Sequence, residues 1–290
     1  MLVPYYYLFY TVLIMSASKQ IVNGNPYWIY NSTKKPTIVM IHGFRGTHHG
    51  LDLIAKNLDD FRVIIPDLPG FGEASPLEAE HNLGNYVTWL SVFMKDLRLG
   101  DKPILLGHSF GSIIAASYAV KFPETIDRLV LENPIGTPAL EGPKAAMTKI
   151  AVFYYWLGRK LPAKISKKWL SSKSSTMVMS VTMAKTKDKN LRKYIHSEHL
   201  EHFSSFSDPQ SLAESFKTSV SHNVRQFADQ IKVPTLIIAG DQDDITPISK
   251  QHELAKLFPS AEIVVIGNVG HLTHYETPDQ VASAIKSFNK

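Results

Sequence analysis

Short apolar runs recur along this chain, separated by longer stretches of mixed polarity. Thr37–Ile41 (TIVMI), Phe61–Pro66 (FRVIIP), Pro103–Gly107 (PILLG), Ile126–Glu132 (IDRLVLE), Thr235–Gly240 (TLIIAG) and Glu262–Gly267 (EIVVIG) are such runs, several of them continuously apolar. Continuous runs of this length predict strands covered on both faces, as in a parallel sheet between two helix layers. Tyr27–Tyr30 (YWIY) follows the Asn23-Gly24-Asn25-Pro26 turn and predicts an earlier, antiparallel strand. Helical spacing of apolar residues covers Leu83–Leu97, Phe110–Phe122, Ile248–Leu257 and Pro278–Phe288. The last two follow Thr246-Pro247 and Thr277, which predicts a capping threonine with proline in the first turn. Strand–helix alternation of this kind predicts an α/β fold with a mostly parallel sheet and helices on both faces.

One interval breaks the alternation. About a hundred residues of helical or irregular pattern separate the run ending at Glu132 from the one starting at Thr235, where a connection ordinarily takes a few. This predicts a largely helical insertion at 135–226, set into a core made of 19–134 and 227–290. Residues 1–18 form a separate apolar segment.

Composition then narrows the picture. The chain has 290 residues, enough for a substantial core, and no cysteine, which excludes disulfides and thiolate metal sites. Net charge is +5, unevenly spread: Gly142–Lys193 holds 13 Lys/Arg against the single acid Asp188, while the rest of the chain is net acidic. A basic block of this size suggests an anionic partner or surface, or else a solvated helical face. The opening MLVPYYYLFYTVLIM is apolar for fourteen residues after Met1, short of the roughly 20 that span a bilayer, and lacks the positive flank of a secretion signal. A weak signal or anchor, an element docked on the body, and a start-site extension remain open. The expected location is cytoplasmic or peripheral to a membrane, with secretion or N-terminal anchoring left open.

Ligands of open parallel sheets bind beyond the carboxyl ends of the strands. Those ends carry His42-Gly43-Phe44, Asp67, Ser109, Asp241/Asp243/Asp244 and His271. Gly107-His108-Ser109-Phe110-Gly111 matches G-x-S-x-G between a strand and a helix, a sharp turn that strains the serine and lifts its Oγ. The flanking glycines are needed because a Cβ at either would meet neighbouring backbone. A serine needs a base, and the base needs an orienting carboxylate. His271 and Asp243 stand on the loops after the last two strands. No H-E-x-x-H, phosphate-binding loop or G-x-G-x-x-G is present, so neither a metal nor a nucleotide cofactor is expected. The two histidines of GFRGTHHG have no carboxylate at ligand spacing and predict a plain loop.

Taken together, HGF (His42–Phe44), DLPGFGEAS (Asp67–Ser75), GHSFG (Gly107–Gly111), GDQDDITP and GHLTHYETP resemble the α/β-hydrolase family, in its cap-bearing serine-hydrolase branch. The resemblance spans about Tyr27 to Phe288. It implies a triad of Ser109, Asp243 and His271: the family's G-x-x-D-x-x-x-P falls on Gly240, Asp243 and Pro247, and its G-H-x-x-x-x-E-x-P on Gly270, His271, Glu276 and Pro278. It also implies an oxyanion hole from the backbone N–H groups of Phe44 and Phe110. Arg45, His108, Phe153 and Trp156 are candidate pocket residues, Arg45 equally a structural partner. Asp241 and Asp244 read as loop caps, His274 as pocket-lining or, in preference, solvent-facing, and His42 and Asp67 as scaffold. Relatives that use a carboxylate nucleophile are excluded by the serine at the elbow.

The implied activity is cleavage of a carboxylic ester with an apolar acyl group, without a cofactor. The same triad also serves thioesters, amides, carbon–carbon bonds or acyl transfer, and a binding protein on this fold is the alternative from another class. Aromatics and lysines interleave over Ala151–Lys173, a pattern suited to a lipid surface as well as to a solvated cap. Nucleic acid is not expected as a partner.

Overall fold

The computed structural model describes residues 17–138 and 145–290. The apolar N-terminal segment lies outside them except for its last two residues. Eight strands form one sheet: β1 (Ser18–Val22), β2 (Asn25–Tyr30), β3 (Thr37–Ile41), β4 (Arg62–Pro66), β5 (Ile104–His108), β6 (Arg128–Glu132), β7 (Thr235–Gly240) and β8 (Ala261–Ile266). Their order is β1-β2-β4-β3-β5-β6-β7-β8. β2 runs antiparallel to both neighbours, and all pairs from β4 through β8 are parallel. β1 was not predicted; four of its five residues are exposed, so it has no apolar pattern to read.

The central strands are buried at every position because successive side chains enter opposite layers. Val39, Ile41 and Leu105 join one core with α2 (Leu83–Asp96) and α3 (Phe110–Lys121). Ile38, Met40, Ile104 and Leu106 join the other, beneath α1 (Asp52–Asn57) and α11 (Pro278–Phe288). α9 (Ile248–Ala255) packs on β7 and β8.

Between β6 and β7 lie α4 (Ala145–Lys160), α5 (Ala163–Leu170), α6 (Lys173–Met183), α7 (Lys189–His202) and α8 (Pro209–Ser221). α4 packs on α5 and α8, and α6 on α7. The insertion closes on itself at its root, where the Val224 N–H donates to the Ile135 carbonyl at 2.8 Å. It is also stitched to the loop after β4: Phe71 bridges Phe206, the Gly72 N–H donates to Ser205 O (2.7 Å), and the Ser207 N–H donates to Gly70 O (3.0 Å). Among the described residues no helix is long and apolar enough to cross a membrane.

The two expected threonine caps do not form. The Thr246 hydroxyl donates to Asp243, and that of Thr277 to the Thr273 carbonyl. Each helix starts with its proline-led turn and no side-chain cap.

Candidate active site

Ser109 sits between β5 and α3 with φ 51° and ψ −116°, a conformation that costs a non-glycine residue on the order of 1–3 kcal/mol. The surroundings enforce it. A Cβ on Gly107 would lie 2.4 Å from Gly111 O, and one on Gly111 would lie 2.3 Å from Ile41 O. Both obstacles are backbone, so β3, β5 and α3 can meet this closely only through glycine. The Ser109 N–H is held by Glu132 O at 3.1 Å.

His271 reaches the serine from the loop after β8. Its Nε2 lies 2.9 Å from Ser109 Oγ, and its Nδ1 lies 2.7 Å from Asp243 Oδ2. Two loops must converge for this. A Cβ on Gly240 would lie 2.4 Å from Gly270 O, so the ends of β7 and β8 are drawn together there. The Asn133 amide ties them further: it donates to His271 O (3.0 Å) and Thr273 Oγ1 (2.8 Å) and accepts from the Gly240 N–H (3.0 Å). Asn133 was not singled out from the sequence. Its φ of 42° at the end of β6 was the only available sign, and a sequence does not display it.

Asp243 is buried and accepts from the N–H groups of Ile245 (2.7 Å) and Thr246 (3.0 Å), besides the Thr246 hydroxyl. Burial alone would raise its pKa. The His271 imidazole and the Thr246 bonds outweigh that and hold the carboxyl well below its usual range, hence ionised. Its neighbours have other partners. Asp241 accepts from the Val269 N–H, and Asp244 pairs with Lys185.

The loop after β3 passes directly over the serine. A Cβ on Gly43 would stand 3.1 Å from the His108 ring and 3.2 Å from Ser109 Cβ. This places Phe44 beside the site, opposite the first turn of α3, whose leading amides have no partner within the helix. The Phe44 ring meets Phe71, Tyr155 and Phe216 at centroid distances of 5.4–5.8 Å. Phe110 is buried against Tyr86. His42 accepts from the Leu68 N–H through Nε2 (2.8 Å), and Asp67 accepts from His48 and Glu73, both as scaffold. His48 thus finds in Asp67 the carboxylate that local spacing did not offer (Nδ1–Oδ1 2.9 Å), and the segment is a 3₁₀ turn, not a plain loop.

The candidate pocket residues are redistributed. Arg45 is 2% exposed and faces the insertion, not a ligand: it donates to Phe203 O (2.9 Å), Leu170 O (2.9 Å) and Tyr155 OH (3.3 Å). Phe153 and Trp156 stack on each other on the exposed side of α4, and Tyr155 between them turns inward. A helix cannot send neighbouring residues to one face, and the sequence did not say which was chosen. His108 turns Nδ1 toward Glu132. His274, on α10 (Thr273–Glu276), is buried rather than solvent-facing, because α10 brings it against His108 and Glu132 at the ends of β5 and β6. Burial and the nearby His271 push His274 down to about 3; burial and His274 push His108 well below the ordinary histidine value.

The model of the alpha/beta hydrolase fold matches residues 36–278. Over 266 residues the chain is 27% identical to Lipase 1 of Psychrobacter immobilis, covering 87% of this chain and 76% of that one. It is 26% identical over 270 residues to Lipase 3 of Moraxella sp. (strain TA144), covering 89% and 78%. A thermophilic esterase from Thermogutta terrifontis, solved with malate bound, has the same fold: TM-score 0.73 at 22% identity, across 94% of this chain and 98% of that one. An eight-stranded sheet with a single reversed strand, a strained serine at the β5–α3 turn and a match across most of the length agree: this chain belongs to the alpha/beta hydrolase fold family.

Proposed function

We propose that the protein hydrolyses carboxylic esters through an acyl-serine intermediate. The observation that carries this is the unbroken chain from Ser109 Oγ through His271 to Asp243. His271 Nε2 takes the Ser109 proton as Oγ attacks the ester carbonyl. Asp243 keeps the Nδ1 proton in place and stabilises the imidazolium. The backbone N–H groups of Phe44 and Phe110 receive the negative charge that develops on the carbonyl oxygen. His271 then protonates the departing alkoxide, and water repeats the sequence to free the acid. Relatives named as lipases favour an ester over other acyl bonds.

Phe44, Tyr155 and Phe216 offer an apolar lining beside the serine, suited to an acyl chain. The insertion is a lid that meets lipid. Ile150, Phe153, Trp156, Ile165 and Trp169 are each more than 40% exposed and interleave with exposed Lys164, Lys167 and Lys168. Rings and aliphatics at the headgroup level with cations toward anionic lipid form an interfacial face.

The test is hydrolysis of p-nitrophenyl esters from acetate to palmitate, by wild type and Ser109→Ala. The long esters are also presented in neutral and in anionic vesicles. The expected result is turnover that Ser109→Ala abolishes and that anionic vesicles enhance for long chains. Absence of Ser109-dependent turnover at every length would reject the esterase reading. Equal rates in both kinds of vesicle would reject the lipid face.

A further inference from the structure

Beneath the Ser109–His271 pair lies a second group of side chains that the ester mechanism does not use. His108 and Glu132 are direct register partners at the carboxyl ends of β5 and β6. His274 joins them from α10. One ligand atom from each lies within 4.8 Å of the other two, and all three residues are buried. Among the described residues, His108 Nδ1, His274 Nδ1 and Glu132 Oε2 have no hydrogen-bond partner. A buried polar atom left unsatisfied costs about 1–3 kcal/mol, and here three converge on one point.

The spacing identifies what would satisfy them. His108 Nδ1 stands 3.5 Å from Glu132 Oε2, and His274 Nδ1 stands 3.6 Å from Glu132 Oε1. A charge-assisted hydrogen bond would draw such atoms to about 2.8 Å. Ligands at zinc distances on a tetrahedron stand about 3.4 Å apart. Two imidazoles and a carboxylate are a zinc-type donor set. The carboxylate is already oriented, because the Thr273 hydroxyl donates to Glu132 Oε1 in the manner of an outer-shell partner.

We propose that His108, Glu132 and His274 form a binding site for a divalent transition cation of the zinc class, directly under the catalytic histidine. These ligands come from three separate segments, so no local motif announces them, and the site replaces the expectation that metal plays no part. The His108 ring centroid lies 5.3 Å from that of His271. A dication held there opposes the positive charge that His271 gains during turnover. Resting on the esterase reading, the site therefore acts as a brake: bound zinc lowers the rate, and chelation restores it.

The experiment is titration of chelator-stripped full-length protein with zinc chloride by calorimetry, and with cobalt chloride by visible absorption. The variants are Ser109→Ala, His274→Gln, Glu132→Gln and, as a control for histidines outside the site, His49→Gln. Expected is one site per chain, with cobalt bands of tetrahedral intensity, kept in Ser109→Ala and His49→Gln and weakened at least 10-fold in His274→Gln and Glu132→Gln. Cobalt spectra of the wild type read the site even if a variant fails to fold. Featureless or octahedral cobalt spectra in the wild type, or affinity unchanged in a folded His274→Gln, would overturn the proposal. Because binding is read in Ser109→Ala as well, the cation site stands or falls separately from the activity. Zinc bound at this site with no loss of ester turnover would remove the brake alone.

Discussion

Arg45 offers the most searching test of how the insertion is held. Its guanidinium lies at the carboxyl ends of two helices, donating to Leu170 O at the end of α5 and to Phe203 O just past α7. Helix C-termini carry partial negative charge, so a cation here satisfies orphan carbonyls and two dipoles together. Arg45→Met keeps the aliphatic stem and removes the donors. The fully buried Leu170 carbonyl then loses a charged donor at about 2 kcal/mol, and the half-buried Phe203 carbonyl, which water can reach, loses about 1 kcal/mol. The long contact to Tyr155 OH adds little, and relief from burying a charge offsets that remainder. The net is about 3 kcal/mol, or roughly a 150-fold rise in the open insertion. The assay is native-state trypsin cleavage after Lys164, Lys167 and Lys168, which reads the population of the open form when closing is fast. Cleavage within about threefold of wild type would refute the claim that Arg45 fastens the insertion.

Two further outcomes follow from the packing. Gly111→Ala drives a methyl group against Ile41 O and His42 O at 2.3 and 2.7 Å, so it should cost at least about 3 kcal/mol in urea denaturation. Gly100→Ala, with nothing within 4 Å, should stay within about 0.5 kcal/mol. His199 is buried and its pKa is pushed down to about 3, first by burial. The unfolded chain protonates it below about pH 6.5 while the folded chain keeps it neutral. Its contribution is therefore complete above that pH and is lost toward pH 3, at up to about 1.4 kcal/mol per unit. Urea midpoints measured from about pH 6.5 down to 4 should fall less steeply in His199→Gln, and an unchanged slope would contradict the assignment.

The residues that were legible from the sequence are those whose role is local. The elbow at Ser109 is written in two glycines, each two positions from it, and the sheet in runs of apolar residues with no alternation. His271 and Asp243 are legible because each stands on a loop after a strand whose run could be read, and the resemblance to the family's motifs separates them from His274 and from Asp241 and Asp244. What was hidden depends on partners far along the chain. Arg45 read equally as a pocket residue and a structural partner because nothing nearby reveals that its acceptors are the carbonyls of Leu170 at the end of α5 and Phe203 just past α7. Thr246 looked like a cap because its true acceptor, Asp243, is three residues earlier and engaged with His271. His274 was read in preference as solvent-facing, and only the return of α10 against the ends of β5 and β6 buries it. Phe153, Tyr155 and Trp156 are alike in composition, and only packing decides which one faces inward.

The stitching of the insertion to the body bears on modularity. Its two ends meet at Ile135 and Val224, which invites transplanting 135–226 as a cassette. Yet its receptors lie outside the cassette: Arg45 after β3, Gly70–Gly72 after β4, and Glu276, whose Oε1 accepts from the Lys185 N–H at 2.8 Å. A chimera that exchanges only the insertion would leave two helix ends and a strand bridge without partners. One that also carries Arg45, the Gly70–Gly72 segment and Glu276 transfers the sockets along with the plug.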